Sequence, residues 1–397
     1  MTTDMAMATA FATSRRGMLV GGAAALLAST LPGIAFARAD TDRRLVFIIQ
    51  RGAADGLGTL APTGDPAFGT LRGALAEDFA MGARAGDFFT LHSALAQTAQ
   101  LYSAGEALFV HAAASPYRER SHFDGQNILE TGGRAAYVLR DGWLNRLLTM
   151  LPPARAKAIA LSATVPMVLR GAHDVASYAP SALPGVSDDL LARVSALYDD
   201  DPQLHGLWAQ AVQTRQMTSD MAGDPGGKNG QNGAALGQLA AKVLAADGAQ
   251  IAVIETLGWD THAGQRARLA ANLRGLDALL AALKTGLGPV WRDTLVVVAT
   301  EFGRTAAPNG TGGTDHGTGA LVWLVGGAVR GGRVIADWPG LDAANLLDGR
   351  DLKPTTAVDG LITGALAEHF QLEPTRVARI VFPDGLGGSP LSGLIRA

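Results

Sequence analysis

The chain has 397 residues, 48% of them hydrophobic and 17% charged, with a net charge of −3. That apolar share is enough to bury a large core in one or two α/β domains. The slightly negative balance and the lack of any Lys/Arg run exclude nucleic acid as an expected partner. Cys is absent, which excludes disulfides, thiolate metal sites and a Cys nucleophile. Any metal must be held by Asp, Glu, His or a hydroxyl.

The first segment reads as an address. Ser14-Arg15-Arg16-Gly17-Met18-Leu19 is a twin-arginine motif, followed by an Ala-rich apolar stretch over 18–34 and the small-x-small site Ala35-Phe36-Ala37. Residues 1–37 are therefore expected to be a signal peptide, with cleavage after Ala39 as the alternative. A single membrane anchor is the competing reading. The signal implies export to the periplasm of an already folded protein with no stable membrane span after cleavage. Residues 38–397 are expected to form one α/β domain.

The apolar run over 44–50 predicts a buried strand, and Asp55 follows it in a Gly-rich turn where Asp-Gly is also a common turn pair. A short strand is expected over 88–92, then a helix capped by Ser93 and running to about 104. The run over 107–111 predicts another buried strand. Ser121 then opens a helix over about 122–130, where it reads either as an N-cap or as a hydroxyl nucleophile at the anion-attracting end of a helix. Arg118 and Arg120 stand ready to bind an anion, and His122 and Asp124 add polar density. A helix is expected over 142–151 and a strand over 156–161. Amphipathic helices over 187–198 and 203–221 precede a polar loop over 222–233, read as an excursion within the domain. A helix over 234–246 leads into a strand over 251–256. Beyond that strand, Asp260 and His262 lie two apart, which in an extended segment puts them on one side. A helix over 265–287 follows, and a helix over 356–370 with a tail through 383 closes the chain.

The stretch 294–325 organises the rest. Its Val-rich run over 295–299 suits a strand buried on both faces. Glu301 follows where that strand should end, and Asp315 and His316 precede a second apolar run over 320–325. Four strands thus each lead into a polar cluster, as in an α/β sheet whose ligands bind beyond the carboxyl ends of the strands. Oxygen ligands with imidazoles suit Zn²⁺ or Mn²⁺. The plainer reading is a set of caps and turn residues.

The segments RGAADGLG, RSHFDGQNILETG, GWDTHAGQ and TEFGRT followed by GGTDHG resemble the hallmarks of the domain-of-unknown-function family 1501, a Tat-exported branch of the alkaline phosphatase-like superfamily. The resemblance runs from about Arg44 to Pro383. It implies a doubly wound, mostly parallel sheet with helices on both faces, and one or two divalent ions serving phosphate or sulfate ester hydrolysis. By motif, Asp55 corresponds to a ligand of one metal and Ser121 to the nucleophile. Asp260 and His262 correspond to ligands of the other metal, Glu301 to the acid ending a late strand, and His316 to the ligand before the next strand. Where the superfamily commonly has Asp-His, this chain has Glu301-Phe302, and Asp315 is the candidate to substitute. Arg120 and Arg304 are candidates to hold the oxygens of a small oxyanion ester. The alternative is a non-catalytic periplasmic binding or assembly protein on a degenerate hydrolase scaffold, with a protein partner.

Overall fold

The computed structural model describes residues 42–153, 156–178, 194, 233–245 and 249–396. The expected signal peptide, the helices over 187–198 (Val194 apart) and 203–221, and nearly all of the loop over 222–233 lie outside the described residues.

The strands are β1 (Arg44–Gln50), β2 (Leu60–Ala61), β3 (Arg84–Ala85), β4 (Phe89–Leu91), β5 (Ala107–Ala114) and β6 (Ala158–Leu161). They continue with β7 (Ala176–Ser177), β8 (Ile251–Thr256), β9 (Thr294–Ala299), β10 (Ala320–Val325), β11 (Arg333–Ile335) and β12 (Thr356–Ala357). The main helices are α1 (Ala96–Ser103), α2 (His122–Thr131), α3 (Trp143–Leu148), α4 (Gly233–Ala245), α5 (Gln265–Leu287), α6 (Val358–Phe370) and α7 (Pro374–Val381).

Among the described residues, one sheet runs in the order β11-β5-β10-β9-β1-β8-β6-β7, with β12 beside β5. Strand β1 is parallel to both β8 and β9, while β10 is antiparallel to β9 and β5. The sheet is therefore mixed but mostly parallel. A small antiparallel sheet, β2-β4-β3, sits apart.

Side chains alternate across a strand, so β1 feeds two cores. Leu45, Phe47 and Ile49 pack on one face with Trp143 of α3 and Leu361 and Phe370 of α6. Val46 and Ile48 pack on the other with Leu239 of α4 and Leu273 and Leu280 of α5. Helices cover both faces, which is why the central strands are apolar without alternation. Phe47 and Trp143 meet edge to face at 5.1 Å, a geometry that adds about 0.5–1.5 kcal/mol beyond the area buried.

Several expectations shift in detail. The 107–111 run extends to Ala114, and residues 356–357 form a strand edge before helix α6 begins at Val358. Ser93 does not cap α1, which starts at Ala96. The buried Asp277 of α5 caps it instead, accepting from the N–H groups of Gln97 and Thr98 at 3.0 and 2.7 Å. No helix among the described residues is long and apolar enough to cross a membrane.

Candidate metal centre

The pairing directions bring the polar clusters to one edge. Strands β1, β8 and β9 run the same way, and β5 joins them because it opposes β10 as β9 does. Their carboxyl ends lead to Gly52, to Asp260, to Glu301 and to the Ser115–Ser121 segment. His316 reaches the same edge just before β10 begins.

There, one ligand atom each from His122, Asp260 and His316 lies within 4.8 Å of the others. His262 joins them, with Nε2 2.9 Å from both Asp260 Oδ1 and His316 Nε2. Asp315 reaches the group through His262, its Oδ1 lying 3.2 Å from His262 Nδ1.

Each imidazole is aimed by a partner behind it. His122 Nδ1 donates to Glu301 Oε1 at 2.8 Å, and the ring stacks on Phe302 at 5.2 Å. His122 Nε2 is buried, makes no hydrogen bond and lies 3.5 Å from Asp260 Oδ2. His316 Nδ1 donates to the Arg120 carbonyl at 2.9 Å. With Nδ1 protons so placed, neutral His262 and His316 face each other with lone pairs on their Nε2 atoms, 2.9 Å apart. A proton or a cation between the two rings relieves that opposition. This donor set of imidazole nitrogens and a carboxylate, each oriented from behind, fits Zn²⁺ or a similar divalent ion.

The charges agree with that geometry. The Glu301 hydrogen bond raises the His122 pKa against the opposing effect of burial. Burial, with the charge of His122, lowers that of His316. For Asp260, burial pushes the carboxyl pKa up, but the hydrogen bond and charge of Arg304 outweigh it and the net shift is downward. Glu301 is buried yet also shifted down, because His122, Gln126 and the Gly52 N–H all donate to it. For Asp315 the Asn309 hydrogen bond lowers the pKa most.

The local backbone explains the placement. Gly52 has φ +113°, and a Cβ there would meet the Asp260 nitrogen at 2.7 Å. The turn after β1 can therefore lie against the turn after β8. Gly125 lets α2 approach Glu301-Phe302, since a Cβ there would meet the Phe302 ring at 2.9 Å.

The other expected residues take distinct places. Ser121 is the N-cap of α2, but its side chain makes no capping bond. The buried Arg304 donates to Asp260 Oδ1 at 2.7 Å and to Thr314 Oγ1 at 3.1 Å. Arg120, at φ +63°, sends its guanidinium to Asp351 and Asp348. Arg118 bonds the carbonyls of Ser115 and Tyr117. Asp55 is buried in an ion pair with Arg72 and is not in the group around His122. His122 is the ligand candidate absent from the expected set. The sequence marked it as polar density beside Ser121 at the start of α2, without a ligand role.

A family model described as "Protein of unknown function (DUF1501)" matches residues 106–381. A search of curated proteins returned no match. A solved structure titled as the C-terminal periplasmic domain of EcEptC from Escherichia coli in complex with Zn is similar at 10% identity and a TM-score of 0.33. The match covers 72% of this chain and 74% of that one.

Proposed function

We propose that this chain, which belongs to the DUF1501 family of proteins of unknown function, is an exported metal-dependent hydrolase of phosphate or sulfate esters. The observation that carries this reading is the convergence of His122, Asp260 and His316 at the carboxyl edge of the sheet, with His262 beside them. His122, Asp260, His262 and His316 would hold a divalent ion, Zn²⁺ or Mn²⁺, with Asp315 steadying His262. Such an ion supplies charge stabilisation for an oxyanion and for a nearby nucleophilic oxygen.

The chain's own residues do the rest. Ser121 lies one residue before His122, at the start of a ten-residue helix whose free N–H groups favour an anion. Its Oγ attacks the phosphorus or sulfur, the ester oxygen leaves with the alcohol, and water then releases the inorganic oxyanion from Ser121. Glu301 keeps His122 turned toward the site, and Arg304 does the same for Asp260. Arg120 holds His316 through its carbonyl, so Arg120 and Arg304 shape the site more than they contact substrate. The twin-arginine segment supports a periplasmic location for the reaction.

A second reading, a metal-holding scaffold without turnover, draws on Phe302, which packs on His122 in a place where the superfamily resemblance expects a ligand.

A panel of chromogenic phosphate and sulfate esters tests the proposal. Turnover should vanish with chelator, return with Zn²⁺ or Mn²⁺, and fall at least about 100-fold in Ser121→Ala, the scale of losing a positioned nucleophile. Unchanged turnover in Ser121→Ala would remove that residue from the chemistry. Ion binding with no turnover on any ester would leave the scaffold reading.

A further inference from the structure

The superfamily resemblance makes Asp55 a ligand of one of two ions, and the structure gives that carboxylate other work. Asp55 is 1% exposed and paired with Arg72, which is 0% exposed. Arg72 is fixed in turn by the carbonyls of Thr305 and Ala306, at 3.4 and 3.2 Å. The Gln265 amide nitrogen donates to the same Asp55 oxygen. A guanidinium locked against Asp55 already supplies the positive charge that an ion would bring.

Asp55 also starts a chain of hydrogen bonds with fixed direction. Because Gln265 donates its N–H to a carboxylate, its oxygen must face the other way. That oxygen accepts from the hydroxyls of Thr261 and Thr314, at 2.9 and 2.6 Å. With its proton spent, Thr314 Oγ1 presents a lone pair to Arg304 Nε at 3.1 Å. Arg304 Nη1 then donates to Asp260 Oδ1 at 2.7 Å. Asp55, Gln265, Thr314 and Arg304 are all at most 1% exposed, so water does not compete for these bonds. Thr261 lies between Asp260 and His262, so the middle of that segment is bonded to the same amide.

We propose that the centre holds one divalent ion, and that Asp55 is a positioning residue. It sets the direction of the Gln265–Thr314–Arg304 relay and thereby aims Asp260. This rests on the metal-binding reading above. Asp55 Oδ1 is buried without a hydrogen-bond partner, so a second ion on Asp55 is the competing arrangement, and stoichiometry decides between them.

The test is calorimetric titration of Zn²⁺ into chelator-stripped full-length protein, for wild type, Asp55→Asn, Thr314→Val and Thr314→Ser. Circular dichroism confirms that each variant is folded. Wild type should bind one ion. Thr314→Val should bind one ion about tenfold more weakly, the lower end of the effect of removing a direct partner of a metal ligand, because Thr314 acts on Asp260 through Arg304. Thr314→Ser, which keeps the hydroxyl, should bind within a few-fold of wild type. Asp55→Asn should still bind one ion, more weakly. Two ions in wild type falling to one in Asp55→Asn would overturn the proposal, as would wild-type affinity in Thr314→Val. If Asp55→Asn does not fold, the Thr314 pair and the wild-type stoichiometry carry the test. No ion bound by wild type at all would defeat the metal reading itself, a result distinct from these.

Discussion

His122 shows how one side chain depends on a distant one. Its partner Glu301 lies 179 residues away in sequence, so no local pattern announces the pair. What the sequence did offer was Glu301 as an acid beyond a buried strand and Ser121 as a helix start. Between them stands the His that the structure makes a ligand candidate. Asp55 is the opposite case. Its position after β1 was legible, but its buried partner Arg72 was not, because a charged residue in a short helical segment ordinarily reads as surface. The Glu301 hydrogen bond raises the His122 pKa above its ordinary 6.5. An ion needs the unprotonated Nε2, so protons compete with it. Zn²⁺ affinity should therefore fall with acidification, by up to about tenfold per pH unit for one displaced proton. The midpoint should lie above 6.5 in wild type and move down in Glu301→Gln. Titrations across pH 5–8 check this, and an affinity flat over that range would break the link to His122.

At the scale of elements, apolar runs located most of the buried strands, and α5 and β8 carry the expected bounds. Their ends were less legible where tertiary contacts set them, as at α1, whose N–H groups are capped by Asp277 from another helix. In the β2-β4-β3 sheet the run over 88–92 marked β4, whereas β2 and β3 have two residues each, too few for any periodicity to mark. Two turns must nearly touch for the site to form. Gly52 has a φ of +113° and its missing Cβ makes room for the Asp260 backbone, while its N–H serves Glu301. Gly52→Ala should cost on the order of 1–3 kcal/mol in backbone strain and weaken Zn²⁺ binding at least about tenfold, since it disturbs the backbone of Asp260 and the anchor of Glu301. Gly69 is a control. It lies in a helical segment with nothing within 4 Å of a Cβ, so Gly69→Ala should be neutral or stabilise by about 0.4–1 kcal/mol. Thermal melts and Zn²⁺ titrations of the two variants check both statements. Equal behaviour would mean that the Gly52 contact does not matter.

For the whole molecule, the order of strands does what no single motif could. Strands β1, β5, β8 and β9, running the same way, with antiparallel β10 put five separated polar segments on one edge of the sheet. The sequence carried the segments and the apolar strands between them, and so the fold class. It did not carry which acids face the same point, because that depends on strand order and on glycines that let turns approach. We propose that this edge is a metal centre built on His122, Asp260, His262 and His316. Elemental analysis of protein purified without chelator, beside His316→Ala prepared in the same way, tests it most directly. The wild type should carry a divalent ion in near-stoichiometric amount, and a folded His316→Ala should lose it. A metal-free wild type that takes up neither Zn²⁺ nor Mn²⁺, or an ion retained in His316→Ala, would contradict it.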